Sequence, residues 1–263
     1  MYKSIVLGAV QGLAEWLPIS SEGLILLTNI KLFGGGELTD MIKQALFLHL
    51  GTFLAALIYF RSDVVKLVKT LFSYSSSDTE TKKIFNFLFI ATFISGILGF
   101  ILLELLGNLE SSIELTGKVV TLIIGLLLLI TGIMQIRASD FGLREAVDLK
   151  IKDSILLGLV QGLASLPGFS RSGLTVSTLL LRKFEKAAAL RLSFLLSLPV
   201  VFVGNIVLNF ERFSLRIEDI LGLISSFVVG ILTIHLLLNL AKRVNFGYFV
   251  LIFGVLAIIS VFL

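Results

Sequence analysis

The chain has 263 residues, 56% of them hydrophobic and 15% charged, with a formal net charge of +4 at neutral pH. With apolar runs of about 20 residues recurring along its length, that balance excludes an ordinary water-soluble domain and specifies a polytopic membrane protein. The absence of cysteine excludes disulfides and thiolate metal sites, and the small positive charge is loop bias with no nucleic-acid partner implied.

In chain order, residues 4–32 come first: a short apolar stretch, a polar break carrying proline and glycine, then a second short apolar stretch. Neither half alone reaches the ~20 residues that a crossing needs, so the segment reads as a re-entrant helical hairpin. Gln11 and Glu15 within it, and no small-residue cleavage site, argue against a signal peptide. Gly34 to Gly36 and Ser73 to Lys83 read as surface loops around spans at 40–61, 84–106 and 117–137. A second interrupted segment occupies 152–182 and is followed by spans at 188–209, 219–241 and 245–262. The expected fold is therefore all-α, one integral membrane domain over 1–263. His49 and His235 fall in separate apolar runs with no metal-ligand spacing.

The two interrupted segments are copies. "SIVLGAVQGLAEWLPISSEGL", Ser4 to Leu24, lies over "SILLGLVQGLASLPGFSRSGL", Ser154 to Leu174, at a constant offset of 150 without a gap. Shared leucines could come from periodicity alone, but Gln-Gly-Leu-Ala followed by a common Ser and Gly cannot. A hairpin returns to its own side and three spans follow it, so repeats at 1–137 and 151–263 start on opposite faces and are inverted. In that architecture, broken helices of both halves meet near the midplane and direct their N-terminal ends at a ligand. The loops from Arg61 to Lys83, Arg137 to Lys152 and Arg182 to Lys186, with Lys242 and Arg243, carry far more positive charge than the face with Lys3, Lys31, Arg212 and Arg216. The first face is expected to be cytoplasmic, which puts both termini outside.

"LASLPGFSRSGLT", Leu163 to Thr175, concentrates polar chemistry inside an apolar segment. Arg171 in a membrane-depth turn is costly and by default functional. Ser170, Ser172 and Thr175 supply hydroxyls, and Gly168 and Gly173 let backbone N–H groups approach a ligand, so the set reads as a phosphate cradle. The other tip adds Gln11 and Glu15, four residues apart on one helical face, with Ser20, Ser21 and Glu22 in the following turn. Carboxylates, an arginine and hydroxyls together suit phosphoryl transfer: Glu15 as cation ligand or base, a serine as nucleophile. Two plainer readings stand beside this. Glu15 and Arg171 could form an ion pair that only staples the halves, and Glu22 could be a dipole-favouring residue of a first helical turn.

On these motifs the chain resembles the undecaprenyl pyrophosphate phosphatases, the bacitracin-resistance family. Gln11, Glu15, Pro18, Ser20 and Ser21 match its first motif, Pro167 to Thr175 its second, and Ser193 to Pro199 its following span. The resemblance implies an integral membrane enzyme that releases phosphate from a polyprenyl diphosphate lipid and regenerates the monophosphate carrier. It also implies Mg²⁺ or Ca²⁺ at Glu15, Ser21 as nucleophile or phosphate ligand, and Arg171, Ser170 and Thr175 gripping the diphosphate, with Gln11, Ser20, Ser172 and Gly173 around it. A homodimer is left open. One departure stands out: the family histidine after Ser-Ser-x-Gly is Leu24 here. Either that histidine is dispensable, or Glu22 or His49 replaces it, or the protein binds polyprenyl phosphates without hydrolysing them. The last option keeps a flippase as the alternative function; an ion or drug exporter would explain the repeat but not the phosphate motif.

Overall fold

The computed structural model describes residues 1–112, 117–138, 142–209 and 216–262, and among them there is no β-strand. The first half holds helices α1 (Tyr2–Ala14), α2 (Ser21–Phe33), α3 (Leu38–Tyr59), α4 (Arg61–Phe72), α5 (Thr79–Ser112) and α6 (Gly117–Arg137). The second holds α7 (Ile151–Leu163), α8 (Arg171–Leu181), α9 (Lys186–Asn209), α10 (Ile217–Arg243) and α11 (Gly247–Ile259). Helices α3, α5, α6, α9 and α10 are long and apolar enough to cross a membrane. Large apolar side chains such as Phe89, Phe93, Leu232 and Leu236 point outward from them, as a lipid-facing surface requires. The chain is a multi-pass membrane protein.

Both interrupted segments are pairs of short helices, α1–α2 and α7–α8. In the second, the break carries Gly168 at φ 108°, a conformation open to glycine, with Ile124 so close that a side chain would be blocked as well. Each hairpin packs its first helix on the long helix of the other half. Helix α1 lies on α10 through Gly8 and Gly12, whose absent side chains let the backbones touch. There Ser225 donates to the Ile5 carbonyl at 2.8 Å and Trp16 Nε1 donates to the Gly230 carbonyl at 3.1 Å. Helix α7 lies on α5 in the same manner, Gly158 against Ala91 and Ile94 and Gly162 against Leu98. Glycines also bring α6 and α11 together, Gly125 against Gly254 and Gly132 against Gly247.

The open ends of the hairpins are held by different groups. Lys31, near the end of α2, donates to the Ser260 carbonyl beyond α11 at 3.2 Å. At the mouth of the second hairpin, the fully buried Asp153 receives Arg144 at 2.6 Å and Arg182 at 2.8 Å, and Arg144 stacks on Phe184. Nearby, Arg191 joins Asp63 and Glu80 at 2.6 and 2.8 Å, tying α9 to the starts of α4 and α5.

Three expectations change. The loop expected over Ser73 to Lys83 covers only 73–78, because Asp78 caps α5 through the Thr81 N–H and hydroxyl at 2.9 and 2.7 Å. The amphipathic helix α4 was not anticipated and has no counterpart among the described residues of the second half. The span expected at 245–262 contains a helix of only 13 residues, about 20 Å long, followed by a turn. Arg212 lies outside the described residues.

Close packing at the glycine seams gives opposite expectations for two glycine-to-alanine changes. Gly158→Ala places a Cβ 2.8 Å from Ile94 and 3.0 Å from the Ala91 carbonyl, and should destabilise by about 1–3 kcal/mol. Gly96→Ala meets nothing within 4 Å and should stabilise by up to about 1 kcal/mol through helix propensity. Thermal unfolding in detergent reads both.

Candidate active site

The two hairpin tips meet, and each delivers one charge. Glu15 is the C-cap of α1 and Arg171 the first residue of α8, and they form a part-buried ion pair between Oε1 and Nη2. The other carboxylate oxygen, Oε2, accepts from Gln11 Nε2 at 2.9 Å and from the Ser21 hydroxyl at 2.8 Å, and lies 3.2 Å from His49 Nε2. Ser21, the first residue of α2, is also 3.5 Å from His49 Nε2. His49 Nδ1 faces the Ala45 carbonyl at 2.8 Å, and a carbonyl only accepts, so the Nδ1 position carries the proton. Nε2 is left directed at Glu15 and Ser21.

These groups surround a cavity of about 30 Å³, space for a water or two, lined by Glu15, Ser20, Ser21, Glu22, His49, Arg171 and Ser172 with Ile19, Ala164 and Phe169. Arg171 Nη1 is buried and has no hydrogen-bond partner. Glu22 has no hydrogen-bonded partner among the described residues. Both helices that start at the cavity have serine N-caps, Ser20 accepting from Gly23 N–H and Ser170 from Gly173 N–H at 3.0 Å each. The equivalence of the two tips in sequence is thus an equivalence in capping.

The remaining expected residues sit around the cavity without lining it. Gln11 is fully buried and bridges Glu15 to Thr52, at 3.1 Å from the threonine hydroxyl. Thr175 is turned back to the Arg171 carbonyl at 2.8 Å and meets Ser193 at 2.6 Å. Ser170 and Gly173 are engaged in the cap. Ser172 lines the cavity and donates to the Leu17 carbonyl at 3.1 Å, and Gln135 of α6 donates to the Pro18 carbonyl at 2.5 Å; both ties reach the first tip. Sequence reasoning gave no part to Thr52 or Gln135 and named His49 only as a stand-in for the missing histidine. A signal was present in all three: polar side chains inside apolar spans call for an interior partner.

The fold and this site define an integral membrane protein that brings a guanidinium, two carboxylates and a serine hydroxyl together at the meeting point of two helical hairpins. The chain belongs to the bacitracin resistance protein BacA family, whose model matches residues 4–259. It is 43% identical to an undecaprenyl-diphosphatase of Methanococcoides burtonii over 99% of this chain and 98% of that one. An undecaprenyl-diphosphatase of Haloarcula marismortui is 37% identical over 98% and 96% of the two chains, and one of Saccharolobus solfataricus 35% identical over 97% and 94%.

The capping geometry separates roles that the sequence left merged. Ser20→Ala and Ser170→Ala each remove an N-cap and should lower stability by about 1 kcal/mol. Ser21→Ala removes no cap and should leave the unfolding midpoint closer to that of the unsubstituted protein. A midpoint loss for Ser21→Ala as large as for the caps would show that its hydroxyl is structural.

Proposed function

We propose that this protein is a polyprenyl diphosphate phosphatase of the undecaprenyl type, which releases phosphate and regenerates the polyprenyl monophosphate carrier lipid. The observation that carries the reading is Arg171: a guanidinium at the hairpin tips, paired with Glu15 through one nitrogen, its other nitrogen buried and unbonded, at a cavity that Ser20, Ser21 and Ser172 also line. The names of the relatives support it independently. Because the cavity is only about 30 Å³, a diphosphate enters as Arg171 leaves Glu15 and takes the phosphate oxygens in its place. The ion pair is then the resting form of the binding site. The fork of an arginine suits two phosphate oxygens at once, and the free N–H groups of the first turns of α2 and α8 add to the field.

In this mechanism Ser21 Oγ attacks the distal phosphorus and its proton passes to Glu15, the acceptor of its hydrogen bond. The bond from phosphorus to the bridging oxygen breaks and polyprenyl monophosphate departs. Water then releases phosphate from the serine, Glu15 returning the proton. The leaving group is a phosphate, a weak base, so its departure needs little help from an acid. That explains how a chain with Leu24 in place of the family histidine can still turn over. His49, beside both Glu15 and Ser21, and Glu22, on the cavity wall, are the groups positioned to steer the water.

The oxygen donors suit a hard divalent cation such as Mg²⁺ or Ca²⁺, with Glu22 and the Ser20 and Ser21 hydroxyls as ligands beside substrate oxygens. Such an ion, when bound, would neutralise charge on the phosphates. Glu15, to which the resemblance gives the metal, is engaged here by Arg171, Gln11 and Ser21, and no group of three His, Asp or Glu side chains among the described residues is placed to hold an ion. We further propose that the halves are inverted in the membrane with both termini external. The hairpin mouths at separate ends of the molecule and the basic loops at one end support this.

The primary test is phosphate release from a C55 or shorter polyprenyl diphosphate by purified protein, with and without divalent cation; tight binding without release would overturn the enzyme reading. Arg171→Lys keeps the charge but loses the fork and should lower kcat by about 10²-fold or more. Glu22→Gln and His49→Gln assayed together identify the proton-transfer group, which should lose about 10²–10⁴-fold in single-turnover phosphate release. For orientation, cysteines at Ser76 and Glu145 should react with an impermeant thiol reagent from the cytoplasmic side, and a cysteine at Glu37 from the outside. Reaction of all three from one side would refute the inversion.

A further inference from the structure

Helix α4 takes no part in the site, and it lies where α3 leaves the apolar belt, a single residue after Tyr59. Its surface divides into three sectors at helical spacing. The inner sector faces protein: Val64 and Leu67 pack on the core, Asp63 holds Arg191, and the buried Thr70 meets Ser77 at 2.8 Å. The second sector is apolar and bare. Val65, Val68 and Phe72, spaced by three and then four residues, are 51%, 48% and 85% exposed, and Leu71 beside them is 65% exposed. The third is cationic: Lys66 and Lys69, one turn apart, border a groove of about 590 Å³ with Ser73, Ser76 and Ser77. The one carboxylate lining that groove, Asp78, is taken up by the cap of α5.

An apolar stripe beside a cationic one on an exposed helix is the pattern of a helix lying in the plane of a membrane surface. We infer that α4 lies in that plane, with Val65, Val68, Leu71 and Phe72 in the acyl boundary, and that the groove under Lys66 and Lys69 binds the phosphate of an anionic phospholipid of the same leaflet. This goes beyond the phosphatase reading and does not depend on it. The choice of occupant follows from two complementarities. The lysines match a phosphate as point charges that accept headgroups of varied structure, with the Ser73 hydroxyl beside them, while Ser76 and Ser77 bond back to the Ser73 carbonyl and shape the loop. The bare apolar stripe matches the acyl chains joined to it, and the helices on either side of α4 in the chain also bare apolar side chains, Ile58 on α3 and Phe89 on α5 being 47% and 67% exposed. A free phosphate would satisfy the lysines and leave the stripe in water.

The native chain has no cysteine, so a fluorophore on Val68→Cys reports from α4 alone in the full-length protein. The protein is placed in phosphatidylcholine nanodiscs containing a small, equal fraction of either doxyl-labelled phosphatidylglycerol or doxyl-labelled phosphatidylcholine. The expected result is quenching by both lipids, with the anionic one enriched at the probe about tenfold over its bulk fraction. Lys66→Gln with Lys69→Gln in the same background should bring the two lipids to equal quenching while phosphate release persists. No quenching by either lipid would place α4 away from the membrane and overturn the inference. Equal quenching in the unsubstituted-lysine protein would overturn the headgroup site.

Discussion

The ion pair of Glu15 and Arg171 is the constraint on which the rest of the molecule depends. Neither charge is tolerable alone at membrane depth, and each sits on the tip of a different hairpin. A buried ion pair adds little to stability, because the loss of hydration offsets most of the attraction. What it does is fix position. The broken helices, the serine caps and the ties from Ser172 to Leu17 and from Gln135 to Pro18 all hold two irregular turns in register so that the charges coincide. The expectation of a mere staple is half right: the staple is present, and the unbonded Nη1 of Arg171 beside it marks a contact that protein atoms leave unfilled.

The two tips match in sequence at an offset of 150, and the positions at which they differ are complementary. Ser21 and Arg171 occupy equivalent positions directly after equivalent serine caps, so a hydroxyl and a guanidinium approach the cavity from the same place on two matching turns. Glu15 corresponds to Ser165, which bonds only the nearby Gly162 carbonyl. The shared glutamine has diverged in use, Gln11 holding the carboxylate and Gln161 reaching Ser95 on α5. One copy thus kept the acid and the other took the base of the pair.

Much of this was legible in the sequence, because the governing patterns are local. The hairpins follow from short apolar stretches flanking Pro and Gly, and the meeting of Glu15 with Arg171 follows from two copies of a broken helix in one membrane. The parts that were not legible depend on distance or on ambiguity of type. His49 lies 28 residues from Ser21 in sequence and joins the site only through the packing of α3. A serine that begins a helix can cap it or face a ligand, and composition does not tell Ser20 from Ser21. Helix α4 escaped because 12 residues with alternating lysines have too little apolar length to register as a membrane element and too little polarity to be a plain loop. In α11 the apolar run is longer than the helix built from it.

The crossed seating of the hairpins has a consequence for how the protein is made. Trp16 and Gly12 are made long before their partners: the carbonyl that receives Trp16 is 214 residues further on and the threonine that bonds Gly12 is 221 residues further on. Glu15 is likewise complete 156 residues before Arg171 exists. For most of synthesis the first hairpin therefore carries a carboxylate without its arginine and a bare glycine seam, while α3 of its own half already holds it through Thr52 and His49. The seam is covered only when α10 arrives, so a chain truncated before α10 is left with Gly8 and Gly12 of its first hairpin bare.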